Sequence, residues 1–392
     1  MTLMNILLVA PSLLPWEGGV PFSVSALSHE LPRYGTVQLL CPKHRVDYAF
    51  LKNQGVKHCR EYTPREAVDA AFHSRHWLRQ LIEEMDVVHF NGFWRWEELL
   101  LAQICRELNV PYVLQPRGML LVGHRKVWIK RLYNLLAGDR MVSGAAAVIA
   151  LSRYELKQFQ HYSIAGERLY VIPNGIPKVS AERDRHRPMG SAISPLGNQP
   201  YFLYLGRIES RKNLVFLAEV FQTYLRGGGR ARLVMVGPVE HGYDRVLKRR
   251  ICDLGLEQAI QFRPPAFEHD KWTYVENAMA VLYPALEEPF GRVPFEAISA
   301  GVYPIIPQQS GSSEYLSGYL PHCIYHQGDP ASLLECLRAI EGKKQSGDTE
   351  DLMNAQRWVH DELSWKKIVE RVFAVYQAIV VKAETPSLSA EG

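Results

Sequence analysis

Apolar residues in this chain fall into short unbroken runs separated by longer amphipathic stretches. In the first half the runs are NILLVA at 5–10, VQLLC at 37–41, DVVHF at 86–90, PYVLQ at 111–115 and AAVIAL at 146–151. Each has strand length, and consecutive apolar positions suit a strand covered on both faces of a parallel sheet. Between them, Phe22 to Pro32 and Trp96 to Leu108 read as helices. A second series begins near Tyr201, with FLYLG, ARLVMVG, AIQFR, AVLYP and YPIIP as strands and a helix from Leu214 to Leu225 that Gly227 to Gly229 would stop. Strand and helix alternating in this way predict βα units, so each half reads as a doubly wound, Rossmann-like α/β domain.

The stretch 176–200 is rich in Pro, Gly, Ser and charge and has no sustained periodicity, which marks an interdomain linker. The expected organisation is therefore a first domain over 1–175, the linker over 176–200, a second domain over 201–363, a C-terminal helix over 364–382 and a frayed tail over 383–392. A length of 392 residues fits two domains at roughly 150 residues each. An apolar fraction of 47% beside 22% charged residues supplies two cores and argues against disorder.

Charge and cysteine usage narrow the function classes. A formal net charge of +4 is too small to imply nucleic acid. Cys41, Cys59, Cys105, Cys252, Cys323 and Cys336 are scattered, without Cys-x-x-Cys or a ligand-like spacing to histidine, which argues against zinc and against a disulfide framework. NILLVA is short, lacks a basic leader and runs into Pro11, so it reads as a first strand and not a signal peptide. No run of about 20 apolar residues is present to span a bilayer. The setting these features point to is reducing and cytoplasmic.

In doubly wound sheets ligands bind outside the carboxyl ends of the strands, so the chemistry is expected on strand-to-helix loops. Arg207 and Lys212 flank the loop before the helix at Leu214, where free helix N–H groups add to their charge and suit a pyrophosphate. Solvated surface cations are the plainer reading of that pair. Glu288 follows the strand AVLYP in the turn Glu288-Pro289-Phe290-Gly291, and Pro294 and Gly301 bracket a helix that puts Glu296 in its first turn. Carboxylates grip vicinal hydroxyls well, and the backbone N–H groups of Phe290, Gly291, Arg292 and Val293 would serve a sugar hydroxyl and a phosphate. A helix cap would account for Glu296 alone, but not for the whole pattern.

The first domain offers fewer signals. Gly18-Gly19 follows the first strand, opens a helix, and lets backbone N–H groups approach a phosphate, or forms an ordinary tight turn. It does not match the G-x-G-x-x-G of dinucleotide enzymes. His89 sits on its strand and reads as a core histidine. Asn91 and Arg117 end the next two strands, and Arg117 suits an anionic acceptor group or a phosphate. Phe93, Trp94 and Trp96 read as stacking surface for an acceptor sugar or as core. Basic Arg125, Lys126, Lys130 and Arg131 alternate with Val127, Trp128, Ile129 and Leu132, which fits an anionic membrane surface or, equally, a solvated helix face.

Taken in order, these motifs resemble the retaining family-4 glycosyltransferases, also called glycosyl transferases group 1, of the GT-B fold. The run EPFGRVPFE from Glu288 to Glu296 matches that family's Glu-x7-Glu element, and VIPNGI at 171–176, YLGRIESRKNL at 204–214, VGP at 236–238 and AISAGVYPI at 297–305 match further elements. DVVHFNGFW resembles the D-V-V-H-x-H element with Asn91 in place of the second histidine, and QPRGM resembles the P-R-G-M-L element of a subset.

The resemblance implies two domains facing a central cleft, with the C-terminal helix crossing back to the first. It implies that Glu288 holds donor-sugar hydroxyls, Glu296 the ribose, Arg207 with Lys212 the diphosphate, and that the strand end at Arg263 and Pro264 borders the base. Asn91 becomes the nearest candidate for the sugar contact its family makes through histidine.

The implied activity is hexosyl transfer with retention from a UDP- or GDP-linked sugar to a glycan or lipid-linked acceptor in cell-surface polysaccharide synthesis. The nucleotide sugar is a co-substrate, no cofactor is called for, and the chain lacks an Asp-x-Asp to hold a metal on the diphosphate. The alternative is a sugar-nucleotide epimerase or hydrolase of the same fold, or a binding protein without catalysis.

Overall fold

The computed structural model describes residues 3–120, 133, 138–178, 197, 199–240, 242–266 and 268–384. Most of the linker expected at 176–200, the basic stretch from Arg125 to Leu132 and the tail beyond 384 lie outside the described residues.

The chain forms two compact units, one made of residues 1–175 with 365–392 and the other of 176–364. In the first, strands β1 (Met4–Val9), β2 (Gly35–Pro42), β3 (Arg60–Tyr62), β4 (Val87–Phe90), β5 (Tyr112–Leu114), β6 (Ala147–Ala150) and β7 (Leu169–Val171) form one sheet in the order 3-2-1-4-5-6-7. Every pairing is parallel. The second carries β8 (Tyr201–Leu205), β9 (Arg232–Val236), β10 (Ile260–Arg263), β11 (Ala280–Leu282), β12 (Tyr303–Pro307) and β13 (Ile324–Tyr325), again all parallel, in the order 10-9-8-11-12-13. These are two Rossmann-like α/β units. Their inner strands are buried throughout, as VVHF in β4 and YFLYL in β8 show, because helices cover both faces of a parallel sheet.

Strand order reverses between β1 and β4 in the first unit and between β8 and β11 in the second. The chain leaves these neighbouring strands toward opposite sides, so their following loops part and open a crevice. The helices that matter for those crevices are α1 (Gly19–Glu30), α2 (Trp96–Glu107), α3 (Leu214–Arg226), α4 (Glu268–Glu276), α5 (Arg292–Ser299) and α6 (Gly311–Leu316). Helix α3 runs one residue beyond the expected Leu225 and is capped by Gly227. Helix α5 starts at Arg292, so Glu296 lies in its second turn and not its first. The correction follows from Gly291, whose φ of +69° ends the loop and leaves Arg292 to open the helix.

The C-terminal helix Trp365–Glu384 belongs to the first unit. There Phe373 stacks on Tyr34 with ring centroids 4.4 Å apart. Tyr376 is hydrogen-bonded to the buried His89 through Nδ1 at 2.6 Å. Burial pushes the His89 imidazole down to about 3, with the charge of Arg117 acting in the same direction. It is a neutral core histidine, as its place on β4 predicts. All six cysteines are free thiols. Among the described residues no helix is long and apolar enough to cross a membrane.

Candidate functional site

The second unit's switch point brings together two loops that are far apart in sequence. After β8 the chain turns through Gly206 to Lys212, and after β11 through Tyr283 to Gly291. The Leu286 N–H donates to the Arg211 carbonyl at 2.9 Å and joins the loops. Lys212 reaches across, its Nζ donating to Glu288 Oε2 at 2.7 Å and to the Tyr283 hydroxyl at 3.1 Å. Tyr283 donates in turn to the same Glu288 oxygen at 3.0 Å, closing a triangle of ammonium, phenol and carboxylate.

Lys212 is 9% exposed and the Glu288 side chain 20%. Burial alone would push the Glu288 carboxyl up, but the charge and hydrogen bond of Lys212, with the Tyr283 hydroxyl, outweigh it and hold the group below its ordinary value. Burial and then Glu288 push the Tyr283 phenol well above its ordinary value, so it remains a donor.

The backbone pays for this placement in local strain. Asn213, directly after Lys212, has φ +53°, and Glu287, directly before Glu288, has φ +52°. Side chains other than glycine rarely adopt this region, and such outliers concentrate where surrounding structure dictates a position. Two glycines are required by contact. A Cβ on Gly237 would lie 2.0 Å from the Gly206 carbonyl oxygen, where the loops after β8 and β9 touch. One on Gly291 would meet Tyr283 Cε1 at 2.9 Å and Glu288 Cγ at 3.2 Å. Gly291 thus permits the close fit around the triangle.

A second charged cluster sits on α5. Glu296 is 3% exposed; its Oε1 accepts from Arg292 Nη2 at 3.0 Å and its Oε2 lies 2.7 Å from Lys271 Nζ on α4. Burial again opposes ionisation, and Lys271 and then Arg292 overcome it, leaving Glu296 below its ordinary value. Phe290 is buried and stacks on Phe295 at 4.5 Å, so its side chain is core and only its backbone faces the turn. Pro289 is buried with it, and Val293 is half-buried in the first turn of α5. The first-turn N–H groups of that helix have no intrahelical acceptor.

Arg207 is exposed, with Nη1 3.2 Å from Glu209 Oε2. Arg263 ends the edge strand β10, donates to Gln261 Oε1 at 3.0 Å, and offers its carbonyl to the Gly237 N–H at 3.4 Å.

Two partners in these clusters escaped the sequence reading. Tyr283 was visible only as the last apolar-looking residue of a strand. Lys271 lies in the polar segment EHDKWTYVE, whose weak helical pattern gave no signal that one lysine points inward.

In the first unit, Gly18 caps α1 at φ +117° with open space where a Cβ would stand, and Gly19 is the helix's first residue. Asn91 is fully buried. Its amide donates to the His89 and Val9 carbonyls at 3.1 and 3.4 Å, and its Oδ1 accepts from Arg117 Nε and Nη2 at 3.1 and 2.8 Å. Asn91 thus joins the ends of β1 and β4 to Arg117. Arg117 itself is half-buried. Of the three aromatics in this region, Phe93 is core, Trp94 is partly buried and Trp96 is 46% exposed.

The paired carboxylate clusters give a pH dependence. Both Glu288 and Glu296 are held below 4.5, so their pairs contribute stability that is fully present above that value and lost as pH falls through their lowered folded values. Acid unfolding followed by circular dichroism is expected to weaken its pH dependence in the Glu296→Gln variant, which removes one such titration; an unchanged acid limb would show that the pair carries no linkage.

Comparison with known proteins identifies the family. Residues 17–178 match the family model described as Glycosyltransferase Family 4, and residues 191–352 that described as Glycosyl transferases group 1. A D-inositol 3-phosphate glycosyltransferase of Frankia alni is 28% identical over 244 residues, 58% of this chain and 58% of that protein. A GDP-mannose:cellobiosyl-diphosphopolyprenol alpha-mannosyltransferase of Xanthomonas oryzae is 25% identical over 226 residues, 57% of this chain and 56% of that one.

The chain therefore matches little more than half the length of these curated relatives. Among solved structures, Anabaena Alr3699/HepE in complex with UDP and glucose superposes with a TM-score of 0.76 at 19% identity, over 96% of this chain and 100% of that one. At that identity the likeness is one of fold. With both family models matched in order, one on each unit, the chain belongs to the family-4, group 1 glycosyltransferases.

Proposed function

We propose that this chain transfers a hexosyl group from a UDP- or GDP-linked sugar to a glycan or lipid-linked acceptor, with retention at the anomeric carbon, in the synthesis of a cell-surface polysaccharide. The observation that carries the reading is the Lys212–Tyr283–Glu288 triangle, built from two loops at a switch point of the unit that matches the group 1 model. The related Xanthomonas protein is named for GDP-mannose and a lipid-linked glycan, and the Anabaena structure holds UDP and glucose; together they support this donor and acceptor class.

In this reading the donor diphosphate is received by Lys212, Arg207 and first-turn N–H groups of α5, which stabilise the charge left when the bond from C1 to the phosphate oxygen breaks. Glu288 takes donor-sugar hydroxyls, and Glu296 takes the ribose with acceptor capacity that its two cations leave unused. The acceptor hydroxyl attacks C1 on the face the diphosphate leaves and passes its proton to the departing phosphate oxygen, so no metal is called for. Arg263 borders the base through its backbone. A lipid-linked acceptor would bring the chain to a membrane surface.

Nucleotide sugars separate the readings. One UDP- or GDP-sugar is expected to raise the melting temperature, since a ligand at a hundred times its Kd adds about 2.7 kcal/mol of stability. With acceptor, NMR of the product should show the donor's anomeric configuration retained. Absence of stabilisation by every UDP- and GDP-sugar, with no transfer, would overturn the proposal.

A further inference from the structure

The second unit has a cavity of about 540 Å³, open to solvent, and none of its lining residues belongs to the two charged clusters described above. Gly318 and Tyr319, in the turn after α6, form one wall, and the helix α7 (Glu350–Glu362) forms the other. Leu352, Ala355 and Val359 bury one side of α7 in the core. Asp351, Asn354, Trp358 and Asp361 recur at helical spacing on another side, which lines the cavity together with Arg357.

The aromatic part of the lining is held in place. The Trp358 ring stacks on those of Tyr319 and Tyr315, with centroids 5.5 and 6.1 Å apart, and Phe295 lies 6.4 Å away. Trp358 and Tyr319 are both half-buried and keep the rest of their surface toward the cavity. Of the polar groups, Arg357 Nη2 donates to Asn354 Oδ1 at 2.5 Å. That bond orients both side chains and leaves the Asn354 amide hydrogens and the other guanidinium N–H groups as donors. Asp361 is exposed and supplies an acceptor.

Charge narrows the ligand. Asp351 accepts from the Tyr303 hydroxyl at 2.7 Å and lies 3.0 Å from Lys343 Nζ, so its charge is already matched. Arg357 and Asp361 offset one another. With no surplus of either sign, the lining suits a neutral polar ligand better than a phosphate or a cation. A pyranose has an apolar C–H face and a rim of hydroxyls that both donate and accept, which is the complement of these aromatic and planar polar groups. The volume falls within the range of ligand pockets, about 300–1,000 Å³.

We propose that this cavity is a second carbohydrate site, which holds neutral hexose units of a glycan apart from the reacting groups. Tyr319 and Trp358 take the C–H face, Asn354 and Arg357 donate to hydroxyls, and Asp361 accepts from them. The site goes beyond the transfer reaction: it retains a glycan on the protein and is complete within the second unit.

Two variants test it. The φ of Gly318 lies outside the left-handed region and a Cβ there would meet nothing within 4 Å, so Gly318→Leu should fold while its side chain occupies the cavity. Arg357→Ala removes one donor from an exposed position. The full chain is titrated by calorimetry with cellotetraose, maltotetraose and mannotetraose, with glucose and mannose as single sugars, and with UDP.

Wild type is expected to bind at least one tetrasaccharide with a Kd of about a millimolar or below. Gly318→Leu should weaken that binding about tenfold or more, and Arg357→Ala about fivefold, with UDP affinity within about twofold of wild type. A tetrasaccharide that binds more tightly than glucose or mannose identifies a glycan chain as the ligand, and equal affinities identify a single sugar. Should Gly318→Leu fail to fold, Arg357→Ala decides.

No binding of any of these sugars by wild type, or undiminished binding by the folded variants, overturns the proposal. Failure of UDP to bind wild type would count against the glycosyltransferase reading, while the sugar titrations still judge this one.

Discussion

Glu288→Ala is expected to lower the transfer rate by about a hundredfold to a thousandfold, the scale on which removal of a preorganised electrostatic group acts, while the fold persists. The carboxylate sits at the end of β11 with its charge fixed by Lys212 and Tyr283, so it is ionised and oriented before any donor arrives. Removing it leaves the ammonium and the phenol to bond each other or water, and it removes the group proposed to take the sugar hydroxyls. Glu288→Gln keeps the size and one acceptor oxygen, and is expected to fold normally yet still lose most turnover. Initial rates with saturating donor and acceptor check both variants. Full turnover by Glu288→Ala would remove it from the site.

Lys212→Ala is expected to weaken nucleoside diphosphate binding about a hundredfold, in keeping with loss of a charge-assisted phosphate contact from a nearly buried position. The structure adds a consequence that the sequence motif does not contain. Lys212 is what holds the Glu288 carboxyl down against burial, so the variant should raise that pKa and impair the neighbouring group as well. The two single changes therefore act on one unit, and their effects on transfer should not add. Titration calorimetry with UDP and GDP gives the affinity change. Unaltered binding by Lys212→Ala would place the diphosphate elsewhere.

Much of the fold was legible because inner strands of parallel sheets are apolar on both faces, and those runs stand out without an alignment. The strands that escaped notice are β3, β7 and β13, each lying at the end of a sheet. An edge strand buries less: Arg60-Glu61-Tyr62 has one buried residue, Leu169-Tyr170-Val171 has none, and β13 has only two residues.

The site was legible as parts. Lys212 and Glu288 were both read as donor residues, but they are 76 positions apart, and nothing local says that β8 and β11 are neighbours. That adjacency is a property of strand order, and with it comes the recognition that the two residues hold each other. The pairing of Lys271 with Glu296 has the same origin. Asn91 was read from its residue type as a polar contact, and what the sequence did not contain is its full burial and its hydrogen bond from Arg117.

The group proposed for the diphosphate and the group proposed for the sugar are paired with one another, Lys212 Nζ lying 2.7 Å from Glu288 Oε2. Donor binding must exchange partners, with phosphate replacing carboxylate at the Lys212 ammonium and sugar hydroxyls replacing the ammonium at Glu288. Glu288 is then a competitor for Lys212 as far as a nucleoside diphosphate without sugar is concerned. The central measurement is the affinity of that nucleoside diphosphate for Glu288→Ala. The account predicts binding equal to or tighter than wild type in a variant that no longer transfers sugar; a loss as large as that of Lys212→Ala would contradict it.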